Sequence, residues 1–187
     1  MEDIRKMNPP SEEKNGGGVR RASAILGTTI FLVIAPGFFC VVVPWWISRW
    51  RFRAPFFGIV AFRYFGTALI AAGVPVLLES FARFAIQGFG TPAPIFPTEH
   101  LVVTGFYRFV RNPMYISVVS IVLGQALLFG NVHLFEYGII AWCVTHLFIL
   151  TYEEPTLRRT FGTEYAEYCA NVRRWIPRLR PWNAEQS

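Results

Sequence analysis

Residues 104–115 read T-G-F-Y-R-F-V-R-N-P-M-Y. This polar, arginine-bearing stretch runs straight into the apolar block 113–130. Asn112-Pro113 suits a helix start, with Asn as the cap and Pro at the first helical position. The block ends at Gly130-Asn131, and a second apolar block, 133–152, follows almost at once. Two membrane-length blocks joined by so short a turn predict an antiparallel hairpin. Asn112 and the pair Glu153-Glu154 then lie at the same membrane face. Arginines and carboxylates meeting there make a polar pocket against a bilayer.

The rest of the chain supports a membrane reading. Of its 187 residues, 53% are hydrophobic, 17% aromatic and only 16% charged, in long apolar blocks rather than alternation. The net charge is +6, carried almost wholly by arginine. This excess reads as positive flanks of membrane spans in contact with anionic lipid, not as a nucleic-acid surface. Cys40, Cys143 and Cys169 have no paired spacing, so no disulfide framework or metal box is expected.

Residues 1–22 form a polar tail, expected to be disordered. Residues 23–187 read as one all-α, polytopic membrane domain of about four transmembrane helices. The first span, 24–47, contains Pro36-Gly37, where a kink is expected, and ends in the interfacial Trp45, Trp46 and Trp50. It is too long and too late for an ordinary signal peptide. The second, 57–78, starts with Arg63 snorkelling and ends at a Glu79–Arg83 pair four residues apart. Residues 88–97 form a Gly/Pro loop. The third and fourth spans are the hairpin, 113–130 and 133–152. An amphipathic interfacial helix follows over 154–171, with Leu157, Phe161, Tyr165 and Tyr168 on one face, and then an Arg-rich terminus. Four spans with a cytoplasmic C-terminus suit the arginines of the tail, of 108–111 and of the C-terminal segment. The Arg49–Arg51–Arg53 loop then falls on the opposite side.

Two adjacent carboxylates at the end of an apolar helix are costly unless paired or solvated. Glu153 and Glu154 would suit a ligand ammonium group. His146 lies seven residues earlier on the same face and reads as an interhelical polar contact rather than a ligand. His100, His133 and Glu136 read as loop or interface residues. No metal motif, nucleophile elbow or Rossmann fingerprint is present. Any cofactor must be held by the membrane helices and their ends.

The stretch 101–115, L-V-V-T-G-F-Y-R-F-V-R-N-P-M-Y, then Glu153-Glu154-Pro155, then 161–168, F-G-T-E-Y-A-E-Y, then 173–178, R-R-W-I-P-R, resembles the isoprenylcysteine carboxyl methyltransferase and phospholipid methyltransferase superfamily. The resemblance covers roughly the last half of the chain. It implies an integral membrane methyltransferase that uses S-adenosylmethionine and a lipophilic or lipid-modified acceptor. Carried over by motif, Thr104, Gly105, Tyr107 and Val110 line the cofactor. Arg111, Asn112 and Tyr115 sit against it, and Glu153 and Glu154 face its amino-acid end. Arg173, Arg174, Glu164 and Tyr165 fall on the acceptor side as catalytic candidates. Asn112 stands where the superfamily usually has His, so a role needing a charged imidazole is not available at that position.

A carboxylate acceptor needs no base and is oriented by an arginine. An amine acceptor must lose a proton, which Glu153, Glu154 or Glu164 could take. The sequence leaves prenylcysteine and aminolipid acceptors both open. It also leaves open an NADPH-dependent reductase of the sterol-reductase-like group, which shares the Arg-(His/Asn)-Pro-x-Tyr region, and a non-enzymatic scaffold.

Overall fold

A computed structural model describes residues 30, 34–87 and 101–183. The predicted tail 1–22, the start of the first span, the 88–97 loop and His100 lie outside the described residues. Among the described residues the fold is helical, without strands.

Helix α1 is Ile34–Ser48. A kink at Pro36 would open the backbone toward residue 32, outside the described residues, and Gly37 is helical, with φ −61° and ψ −44°. The described part of the helix has its own irregularity. It is the wide turn Phe38–Val42, just before Pro44. Pro44 has no N–H, and its ring crowds the carbonyls behind it. Those carbonyls find partners in other helices. Gln125 Nε2 donates to the Cys40 carbonyl at 2.8 Å, and the Tyr137 hydroxyl to the Phe39 carbonyl at 3.1 Å. Proline is tolerated in a membrane helix on this condition.

The chain leaves α1 through Arg49 and Trp50, both with positive φ. Ser48 Oγ accepts the Trp50 N–H at 3.0 Å, and the Arg49 guanidinium stands 4.3 Å over the Trp45 ring. A short loop with a 3₁₀ turn, Phe56–Gly58, reaches α2, Ala61–Gln87. This helix runs well past the expected end at 78. Pro75 does not stop it, and the last turns carry the Arg83–Glu79 pair at 2.7 Å. Arg63 turns back to the loop, its Nη2 donating to the Arg53 carbonyl at 2.6 Å.

Helix α3 is Pro113–Phe129 and α4 is Val132–Phe148. The tight turn between them uses Gly130 at φ +63° and the buried Asn131. The Asn131 Oδ1 accepts from the N–H groups of His133 and Leu134 at 3.0 and 3.2 Å, capping α4. The hairpin is as the sequence predicts. Helix α2 lies antiparallel against α3 at very close range. A Cβ on Gly66 would stand 2.5 Å from the Gly124 carbonyl, and one on Gly73 would stand 2.9 Å from Ile121. Small residues let membrane helices approach in this way.

Helix α4 does not end where the amphipathic helix was expected to begin separately. A wide turn, Ile149–Glu153, carries it directly into α5, Glu154–Asn171. This turn also precedes a proline, Pro155, and the cause is the same missing donor. Gly162, at φ +50° and ψ −118°, then bends α5.

Two helical stretches, Ala61–Arg83 and the one beginning at Val132, are long and apolar enough to cross a membrane; Ile34–Ser48 and Pro113–Phe129 are shorter. The long stretches are not core helices of a water-soluble protein: 28% and 17% of their apolar windows are buried. Their outer faces expose Tyr64, Phe65, Val144 and Leu147. This is a helical membrane protein whose core is the cluster of Cys40, Leu77, Phe81, Met114, Ile121 and Val122. A second cluster, Tyr165, Tyr168, Val172 and Trp182, packs α5 against the segments that flank it.

Candidate functional site

The hairpin brings three segments to one end: residues 101–112, the start of α5, and residues 172–183. The last segment is a strap laid over the first. The Arg111 N–H donates to the Arg173 carbonyl at 2.9 Å, Arg178 N–H to Phe109 O at 2.8 Å, and Trp182 N–H to Arg108 O at 3.0 Å. Arg108 Nε returns a bond to the Trp182 carbonyl at 2.9 Å. The Tyr168 hydroxyl reaches the Tyr107 carbonyl at 2.7 Å.

Glu154 is the centre of this end. It is 7% exposed. Arg174 grips it with two donors, Nε to Oε1 at 2.7 Å and Nη2 to Oε2 at 2.9 Å. Arg111 Nη1 adds a third bond to Oε1 at 3.1 Å and also meets Cys169 Sγ at 2.8 Å. Paired, bidentate contacts of this kind are the strong class of charged hydrogen bond. The carboxylate's two acceptors raise the Arg174 guanidinium further above its ordinary range. Tyr165 is buried beside Cys169, in the field of Glu154 and Arg111.

Glu153 faces elsewhere. Its Oε2 accepts the Tyr115 hydroxyl at 2.6 Å. Tyr107 is buried next to Ser80 of α2 and within the fields of Glu153 and Glu79. Burial first, then Glu153, with Tyr168 and Glu79 adding to it, push its phenol well above the ordinary value, so it stays neutral. Gly105, at φ +56°, lies against the Glu79–Arg83 pair; a side chain there would meet the Glu79 carboxylate and stand 2.9 Å from Arg83 Nε. Only glycine combines that backbone with that closeness.

Most of the sequence candidates are therefore contiguous: Thr104, Gly105, Tyr107, Val110, Arg111, Asn112, Tyr115, Glu153, Glu154, Tyr165 and Arg174. Val110 and Asn112 are buried. Asn112 does precede α3, but its side chain makes no cap bond. Its Nδ2 donates instead to the Arg174 carbonyl at 3.4 Å, which ties the side chain to the strap. Glu164 and Arg173 expose their side chains and are not drawn into the cluster. His146 is a contact residue: Trp175 Nε1 donates to its Nδ1 at 3.1 Å, and Trp142 stacks on it. His133 pairs with Glu136 at 3.0 Å on the exposed surface.

Glu79 and Ser80 were not singled out as site residues from sequence. The clue was available: a carboxylate at the end of an apolar helix, with an arginine four residues on.

The profile of the phospholipid methyltransferase family matches residues 62–164. The chain belongs to the phospholipid methyltransferase family. The matched part begins at the start of α2 and ends inside α5, so it holds Glu79, Arg111, Tyr115, Glu153 and Glu154 but not the strap. A relative is the protein-S-isoprenylcysteine O-methyltransferase of Schizosaccharomyces pombe, 36% identical over 81 residues. That alignment covers 42% of this chain and 34% of the relative, so the chain spans about a third of that protein. No solved structure matches the chain.

Proposed function

We propose that this family member is an S-adenosylmethionine-dependent methyltransferase of the membrane, acting on the carboxylate of a lipophilic acceptor such as a prenylated cysteine. The observation that carries the reading is the Arg111–Glu154–Arg174 node beside the Tyr115–Glu153 pair, at the mouth of an apolar hairpin. A polar donor reaches this end from water and an apolar acceptor from the bilayer.

The cluster suits a zwitterionic amino-acid group. Arg111 Nε and Glu79 Oε2 are buried without a hydrogen-bond partner, one a donor and the other an acceptor. A buried polar atom left unpaired is uncommon, and a carboxylate and an ammonium group are the complements of these two. Arg111, Tyr115, Glu153 and Glu79 would hold that end of the cofactor, with Gly105 and Val110 as the close backbone wall. When bound, the cofactor supplies an electrophilic methyl group on a sulfonium. The protein's task is to align the acceptor in line with it and exclude water.

The carboxylate acceptor is favoured because the cluster's two central acids already have partners. Glu154 is held by two arginines and Glu153 by Tyr115. A carboxylate acceptor asks neither of them to take a proton. The family's description supports a second reading, transfer to a phospholipid amine, which does require a proton acceptor. The site face is placed on the cytoplasmic side in this proposal, because the arginines of residues 105–111, α5 and the strap outnumber those of the 49–53 loop and Arg63.

The test is transfer of labelled methyl from S-adenosylmethionine by the reconstituted chain, offered a prenylated cysteine, its methyl ester and phosphatidylethanolamine. Labelling of the free acid alone is expected. Labelling of phosphatidylethanolamine alone selects the second reading. Binding of NADPH with no binding of S-adenosylmethionine would overturn both.

A further inference from the structure

The strap carries a surface that the methyltransferase reading does not use. From Tyr168 to Ala184 the sequence has no Asp or Glu, yet it holds Arg173, Arg174, Arg178 and Arg180. Arg174 is occupied by Glu154, and Arg178 Nη1 donates to the Asn171 carbonyl at 2.7 Å. Arg173 and Arg180 are exposed. So are two apolar side chains among them, Ile176 at 61% and Leu179 at 100%. The exposed acids of α5, Glu164 and Glu167, are matched by its own exposed Arg158 and Arg159 and leave the strap's charge standing.

The strap's position relative to the membrane is fixed by its contacts. Its backbone is bonded to Arg108, Phe109 and Arg111, immediately before α3 enters the apolar layer. Trp175 reaches down to His146, within α4, and packs against Trp142, which is 39% exposed on the helix's outer side. A leucine wholly exposed to water between arginines is a poor arrangement in solution. It is a good one at a bilayer boundary, where the apolar side chain enters the acyl edge and the guanidinium stays with the headgroups.

We propose that the strap is a docking surface for anionic phospholipid headgroups, with Arg173 and Arg180 on the headgroup charge and Ile176 and Leu179 in the acyl boundary. Charge complementarity selects anionic lipid, because no acid within the segment neutralises the arginines. Lipid engagement then steadies the strap, and through Arg174 it steadies Glu154. The inference stands whatever reaction the site performs.

The test uses the full chain in lipid nanodiscs, of phosphatidylcholine alone or with about one-third phosphatidylserine. Hydrogen exchange is read at the Arg178 and Trp182 amides, whose bonds hold the strap down. Each arginine near an anionic surface contributes a factor of roughly five. Exchange at these amides should slow several-fold in the anionic discs, and added salt should reverse this. Arg173→Gln/Arg180→Gln should bring the two disc types together. Leu179→Ser should speed exchange in both. Protection of the α3 amides around Ser117 and Ile121 checks that each variant is folded. Equal exchange of the unmodified chain in both discs overturns the proposal and leaves the arginines as topology signals. A lipid effect that survives in the double variant also overturns it, because the lipid then acts elsewhere.

Discussion

Glu154→Gln isolates the contact on which the candidate site depends. The substitution keeps the side chain's shape and one acceptor, and removes the charge. In the native protein three bonds from two guanidiniums converge on this carboxylate, whose side chain is 9% exposed against 12% for Arg111 and 26% for Arg174. The new amide N–H₂ must face either Arg174 Nη2 or the shared position of Arg174 Nε and Arg111 Nη1. Donor meets donor in both orientations. Removing one partner of a buried pair costs about 3–5 kcal/mol. Arg174 is partly exposed and can regain water, so the lower end, about 3 kcal/mol, is expected. Glu153→Gln is the matched comparison. It keeps an acceptor for the Tyr115 hydroxyl, and its cost should stay near 1 kcal/mol. The assay is equilibrium unfolding in mixed micelles, with hydrogen exchange at Arg178 and Trp182 reporting on the strap. The Glu154 variant should release the strap before α3 and α4 open. Replacing Arg111, Glu154 and Arg174 together by Met should cost less than Glu154→Gln alone, since no charge is then left unpaired. If Glu154→Gln costs no more than Glu153→Gln, the node does not hold this end together and the reasoning fails.

Two further outcomes follow from the helix contacts. Gly124→Ala places a Cβ 2.7 Å from the Gly66 carbonyl, so α2 and α3 must separate. The expected loss is about 1–3 kcal/mol, whereas Gly37→Ala, with nothing within 4 Å, should be neutral or mildly stabilising in the same unfolding measurement. Gln125→Leu strips the Cys40 carbonyl of its donor and should cost about 1–3 kcal/mol. In a Pro44→Ala background the backbone N–H can serve that carbonyl, so the cost should shrink, and a double-mutant cycle showing no coupling would refute the assignment.

The hairpin was legible because its punctuation is local: Asn112-Pro113 opens it and Gly130-Asn131 closes the turn. That Asn112 and Glu153 share an end follows from the turn's shortness. Other features depend on partners that are distant in sequence. Helix α2 outruns the expected end at 78 because Glu79-Ser80 interrupts the apolar run without ending the helix, which continues through Phe81 and Ala82 with Arg83 reaching back to Glu79. Asn112 stands in a capping position, but its amide is drawn away by the strap, more than sixty residues later. Pro36-Gly37 is the pair at which the sequence suggests a kink, whereas the wide turn in α1 lies further on. It occurs at Phe38–Val42 because Pro44 leaves two carbonyls open and Gln125 and Tyr137 are placed to take them. Glu164 and Arg173 match the resemblance by position, but what a motif cannot state is the direction of a side chain.

The separate roles of Glu153 and Glu154 follow from the same backbone chemistry. Read as neighbours in a sequence, they look like one acidic patch facing one ligand. On a helix, consecutive side chains point about 100° apart, so a single patch was never available to them. Glu153 turns toward Tyr115 of α3, and Glu154 toward Arg111 and the strap. The wide turn Ile149–Glu153 sets which residue faces which way, because one extra residue in the turn rotates everything after it by about a residue's angle. Without it, α5 would carry Glu154 away from the two guanidiniums and turn Glu153 toward them. Pro155, which forbids the regular hydrogen bond there, is thus as much a part of the site as the acids it follows.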